Sequence, residues 1–137
     1  MTSIEENKAL VRRFVELENK GDLEALFSLF SSEYVSHYNI GDSTMEENKK
    51  FWPTLRMSFP DIRFSLEHIV AEDDKVAYRE IMMGTHLGEF KGVPPTGKQI
   101  KMINTCIIRI EKGKFAESWC TLDEWNLMQQ IGGNHAQ

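Results

Sequence analysis

Cysteine is scarce in this chain: only Cys106 and Cys120 occur among 137 residues. They form no CxxC pair, which excludes a zinc knuckle on spacing. No apolar run approaches the ~20 residues of a membrane span. The start, MTSIEENKAL, lacks a basic n-region and an apolar h-region, so no signal peptide is read there. These absences predict a cytoplasmic protein whose two thiols are reduced and buried. Positive charge is in deficit. Lys plus Arg number 16 against 21 Asp plus Glu, a net charge of −5, which argues against a nucleic-acid platform. No HExxH or other ligand spacing is present, so no metal is indicated. A GxSxG nucleophile elbow is missing, as are the Walker and dinucleotide glycine patterns. GTHLGEFKGVPPTGK is glycine-rich but lacks the P-loop order.

What remains is an ordinary globular composition, 41% hydrophobic and 27% charged. At this length it reads as one domain, 1–137, able to bury a core without metal or disulfide staples. No repeat or linker breaks it.

The first half reads helical. Ser3 and Glu6 form a capping box ahead of apolar positions at Ile4, Leu10, Val11, Phe14, Val15 and Leu17. Gly21 suits a C-cap and Asp22 the next N-cap, before a second helix carrying Leu23 to Phe30. Glu33 to Asn39 reads as extended. Ser43 with Glu46, or Thr44 with Glu47, opens a third helix holding Phe51, Trp52 and Leu55, which Pro53 must kink or restart. After Pro60 the period becomes two. Strands are expected at Ile62–Glu67, Val76–Met83, Ile100–Ile110 and Phe115–Thr121, joined by turns at Glu72–Lys75 and Lys112-Gly113. Asp123 also suits the N-cap of a last short helix ending near Gly132 and Gly133. Helices first and hairpin-joined strands later predict an α+β fold with an antiparallel sheet under N-terminal helices. A curved sheet so covered leaves a closed-ended pocket on its concave side.

Several residues could carry chemistry there. His37 lies in YVSHYN beside Tyr34, Tyr38 and Asn39, and reads either as a loop histidine or as a ligand contact. Asp123, just past Trp119, is either a helix N-cap, with a lowered pKa, or a desolvated acid/base with a raised one. Asn104 is the polar member of an apolar row, so its amide is bonded structurally or faces a ligand. Glu117 should pair with Arg79 or Arg109, and Glu80 is expected to be solvated. His86 reads as structural or exposed, while His68 and His135 suggest nothing specific. Phe51, Trp52, Phe59, Met82, Met83 and Met102 fit an apolar cavity lining and an ordinary core equally.

GTHLGEFKGVPPTGK, IIRIEKGKFAESW and LDEWNLMQQIG, in that order, with YVSHYN and FPDIRF ahead of them, resemble the SnoaL-like polyketide cyclase family of the nuclear transport factor 2-like superfamily. The resemblance runs from about Glu5 to Gly132. It implies a cone: a bent antiparallel sheet with N-terminal helices across its concave face and a deep pocket. It also implies cofactor-free ring closure by intramolecular aldol condensation on a small apolar carbonyl ligand, with no metal. By the same resemblance Asp123 is the acid/base and His37 a second catalytic group. Asn104, Trp119, Tyr34, Trp52, Phe59 and Met102 are then expected to bind substrate. A homodimer through the convex face is expected, with neither nucleic acid nor membrane as partner. The sequence departs at Ser118, where many members carry histidine. The alternative is a small-molecule-binding protein of the same fold without catalysis.

Overall fold

The computed structural model describes residues 2–39 and 41–132. Helix α1 spans Ile4–Lys20 and opens on the reciprocal Ser3–Glu6 capping box. It stops where Gly21 turns left-handed at φ 73° and its N–H reaches back to the Leu17 and Glu18 carbonyls. A side chain at that φ is disfavoured, so glycine ends the helix. Asp22 then caps α2, Leu23–Phe27. This helix is shorter than the apolar run suggested, because Phe30 already begins β1, Phe30–Tyr38. Strand β2, Gly41–Thr44, folds back on β1 and has no counterpart among the elements expected from the sequence. Thr44 and Glu47 form the second capping box, opening α3, Met45–Ser58. This helix runs through Pro53, whose ring sits on the exposed side where water can serve the freed carbonyl.

The remaining strands are β3 (Arg63–Glu72), β4 (Lys75–Thr85), β5 (Gln99–Glu111) and β6 (Lys114–Leu122), followed by α4 (Glu124–Gln130). They form one open sheet in the order β2-β1-β6-β5-β4-β3. Every pairing is antiparallel except β1 with β6, which is parallel. The wholly antiparallel sheet expected from the chain order is thus corrected at this one pairing. β1 and β6 lie far apart in sequence, and no local signal marks their pairing. Register shifts at Leu66/His68 and Arg109/Ile110 add the local bends that curve such a sheet.

Helix α1 packs on β3 and β4, and α3 on β1 and β2. Between these helices and the sheet lies the core, which includes Val11, Phe14, Leu55, Val76, Ile108 and Phe115. Its centre is aromatic. Phe14 meets Phe30, Trp52 and Phe115 edge-on at 5.8, 5.8 and 5.7 Å between ring centroids. The two cysteines are buried as expected but are not separate thiols. Cys106 and Cys120 stand opposite each other in the β5–β6 register and are joined by a disulfide. They are fourteen positions apart in sequence, and only the hairpin register brings them together.

Candidate functional site

Side chains alternate across a strand, so each strand divides its residues between the concave core and the convex outer face. On β1, Tyr34, Ser36 and Tyr38 point inward and Val35 and His37 outward. On β5, Asn104 and Cys106 point inward. Tyr34, Tyr38, Trp52, Tyr78, Asn104 and Cys106 are among the residues around an inner cavity of about 30 Å³. That is room for about one or two water molecules. The deep pocket implied by the resemblance is therefore largely filled, because the Phe14, Phe30, Trp52 and Phe115 rings occupy the concavity.

Outside this cavity lies a larger groove of about 230 Å³, lined by Tyr38, Asn48, Phe51, Leu122 and Glu124 among others. Tyr38 and Asn48 line both spaces and so form the partition between them. The Tyr38 hydroxyl donates to Asn48 Oδ1 at 3.3 Å. Asn48 Nδ2 donates in turn to the Thr44 carbonyl at 2.8 Å and to Ser36 Oγ at 3.2 Å. Lys91 pairs with Glu124 at the rim.

Two carboxyls are buried in the interior. Glu18 is 2% exposed and Glu80 3%. Both oxygens of Glu18, Glu80 Oε2 and Asn104 Oδ1 are buried with no donor reaching them. Glu80 stands directly across from Asn104 in the β4–β5 pairing. Burial pushes the Glu18 carboxyl well above the usual range, the neighbouring Glu80 pushes it further, and Arg56 opposes the shift. Burial raises Glu80 as well, against the pull of Glu18 and the Asn104 amide. Solvation of Glu80, expected from the sequence, is overturned. It sits in the inward row with Val76, Tyr78 and Met82, and that row is the signal that identifies it. Glu18 likewise continues the stripe Asn7, Val11, Phe14 on α1, at helical spacing.

The residues singled out in the sequence fall into separate places. Tyr34, Trp52 and Asn104 meet around the inner cavity. Tyr34 donates to or accepts from Ser118 Oγ at 2.6 Å. Phe59 is fully buried against Phe90 and His86, and Met102 lies across from Met82; neither lines the cavity or the groove. His86 is buried, with Nδ1 3.0 Å from Thr96 Oγ1. His37 and Trp119 stack on each other on the convex face, separated by the sheet from the inner cavity. His37 Nδ1 is 2.9 Å from Asp42 and Nε2 2.7 Å from Glu117, which also pairs with Arg109 at 3.3 Å. Asp123 caps α4, accepting from the Asn126 N–H at 3.3 Å. It is half-buried and follows Leu122 and precedes Glu124 in sequence, two groove residues, without lining the groove itself. Gly133 and His135 lie outside the described residues.

The sequence profile of the SnoaL-like polyketide cyclases matches residues 8–131. Among solved structures, AclR of Streptomyces galilaeus, a candidate hydroxylase, is 30% identical, with TM-score 0.89 over 95% of this chain and 98% of its own. IdmH of Streptomyces antibioticus, a candidate polyketide cyclase, is 29% identical, with TM-score 0.81 over 92% and 98%. TsrD of Streptomyces laurentii is 24% identical, with TM-score 0.85 over 96% and 98%. No curated protein matches the chain.

Proposed function

The chain belongs to the SnoaL-like polyketide cyclase family, and from that premise we propose a cofactor-free acid/base enzyme acting on a small apolar carbonyl compound held in the groove. The reaction is an intramolecular aldol ring closure or a related proton transfer at carbon. The observation that carries this reading is the groove itself. Phe51 and Leu122 offer apolar contact, Tyr38 and Asn48 offer hydrogen bonds, and Asp123 lies in sequence between two of the lining residues. Asp123 is the base that removes a proton next to the carbonyl. The enolate carbon then attacks a second carbonyl, and the resulting alkoxide is protonated. Holding the reacting carbons together can supply ~7–11 kcal/mol of the barrier, and a positioned proton-transfer group typically adds ~10²–10⁴-fold.

A specific observation favours the second reading, ligand binding without turnover: the Asp123 carboxyl is engaged by its own helix. Exchange of the α-hydrogens of 2-tetralone in D2O, followed by proton NMR, separates the two. The wild-type protein should accelerate exchange over buffer, and Asp123→Asn should lose that acceleration while keeping its helix cap and melting temperature. Binding of the ketone with no acceleration would leave only the second reading.

The convex face carries a transverse row, Val70–Ala77–Ile107–Trp119, in direct register across four strands. Val70, Ile107 and Trp119 are exposed. The homodimer belongs to this same proposal, with that row as its contact.

A further inference from the structure

The chain carries a net charge of −5, so its overall field disfavours anions. One cleft stands against that average. It holds about 280 Å³ at the end of the sheet where β3 begins and β4 ends. Asp61, Arg63, Met83, Thr85, Lys101 and Gln130 are among its lining residues, and it shares none with the groove.

Arg63 stands directly opposite Met83 in the β3–β4 pairing, and Met83 directly opposite Lys101 in the β4–β5 pairing. Opposed residues share one face of a sheet. Neighbouring strands lie ~4.7–4.9 Å apart, so the two cationic side chains rise about 10 Å apart with the Met83 thioether between them. Both are exposed. Among the described residues neither has a carboxylate at ion-pair distance. Asp61 lines the cleft too, but Thr85 occupies both of its oxygens. The Thr85 hydroxyl donates to Oδ2 at 2.6 Å and the Thr85 N–H to Oδ1 at 2.7 Å. Those two bonds, ahead of Arg63, hold the Asp61 carboxyl below its usual range.

The far wall is fastened as well. Strand β6 reaches along β5 only as far as Asn104, so the edge at Lys101 has no strand beside it. The Gln130 side chain of α4 takes that place. Its Oε1 accepts from the Lys101 N–H at 2.8 Å, and its Nε2 donates to the Lys101 carbonyl at 2.7 Å. The backbones that carry the two cations are thus held before any ligand arrives, which lowers the ordering cost of binding.

We propose that this cleft binds a small organic carboxylate with an apolar body, its carboxylate held between the Arg63 guanidinium and the Lys101 ammonium and its body resting on Met83 and Ile100. The free charges decide the sign of the ligand: of the charged lining groups, Arg63 and Lys101 are unpaired and Asp61 is engaged. The count decides its magnitude. Two positive charges and one negative leave +1, which a monoanion balances and a dianion exceeds beside Asp61. The guanidinium fork matches a carboxylate through two parallel hydrogen bonds, and the ammonium adds a third from the other side. Met83 and Ile100 supply the apolar contact. The volume falls just under the ~300–1,000 Å³ of drug-sized sites, which suits an acid with a single ring.

The test is a titration of the ¹⁵N-labelled full chain with phenylacetate, followed by NMR. The Thr85 and Lys101 amides and the Gln130 side-chain amide should shift and saturate at millimolar concentration. Phenylacetamide, neutral and of the same shape, should bind at least about tenfold more weakly. Phenyl phosphate should bind no more tightly than phenylacetate. Arg63→Gln and Lys101→Gln should each weaken phenylacetate about tenfold, while Arg12→Gln, which removes a positive charge from exposed α1 surface, should leave it unchanged. No saturation at millimolar concentration would overturn the site. So would equal binding of the amide, equal binding in Arg63→Gln and Lys101→Gln, or an equal loss in Arg12→Gln. Tighter binding of the phosphate would overturn the carboxylate class. Shifts confined to Tyr38, Asn48 and Leu122 would place the acid in the groove and overturn a separate cleft. Because no groove residue takes part, a protein that fails to exchange 2-tetralone yet binds phenylacetate here would remove the enzymatic reading and support the cleft.

Discussion

The His37 ring stacks on Trp119 with 5.7 Å between centroids and 26° between planes, and each of its nitrogens faces a carboxylate. Glu117 and Asp42 therefore favour the imidazolium and raise the His37 pKa, while His37 and Arg109 lower that of Glu117. The raised histidine contributes stability that is complete below its unfolded value and fades as pH rises through its folded value. The lowered Glu117 contributes above its unfolded value, and that contribution fades as pH falls through its folded value. The melting-temperature gap between wild type and His37→Gln should therefore be widest between about pH 5 and about pH 6.5. It should narrow on either side. A gap independent of pH from 4 to 9 would mean that the charge pairing contributes nothing.

The Cys106–Cys120 bridge closes a short hairpin loop. Closing a loop of ~15 residues restricts the unfolded chain by about 3 kcal/mol. Thiol reagents should find no free thiol in the denatured, unreduced chain and two after reduction. The reduced protein should also melt at lower temperature. Two reactive thiols before reduction would show the bridge to be absent.

Phe115 is fully buried where Phe14 and Phe30 meet it edge-on at 5.7 and 5.1 Å. Phe115→Ala removes the ring from a closely filled concavity and should cost about 3–5 kcal/mol in urea unfolding. A loss under about 1 kcal/mol would show that the neighbouring rings collapse into the space.

Ile107→Glu puts a charge into the middle of the exposed convex row. Sedimentation at micromolar concentration should show wild type as a dimer and the variant as a monomer with the same circular dichroism. A monomeric wild type would remove the dimer from the proposal.

Local signals in the sequence carried much of this architecture. Both capping boxes, the Gly21 stop and the Lys112-Gly113 turn are fixed by residues a few positions apart, and they stand where the spacing put them. Relations between distant segments did not show. Nothing near Ser36 announces that it lies beside Ser118, and nothing near Cys106 announces Cys120. Glu80 illustrates the same limit at the site. Its alternation with Tyr78 and Met82 is the pattern of an inward row, whereas the general preference of a charge for water points the other way. Asn104 stood out because the rest of its row is apolar. Glu18 was hidden by the frequency of glutamate in helices.

The parallel contact between β1 and β6 has a consequence for biosynthesis. A nascent chain leaving the ribosome can zip β3 to β4 as a local hairpin and then add β5. The first strand, however, has no neighbour beyond the short β2 until Lys114–Leu122, the last strand in chain order, emerges. Until then the aromatic face of Phe30 and Tyr34 is left without Phe115, so apolar surface stays uncovered while the intervening strands are made.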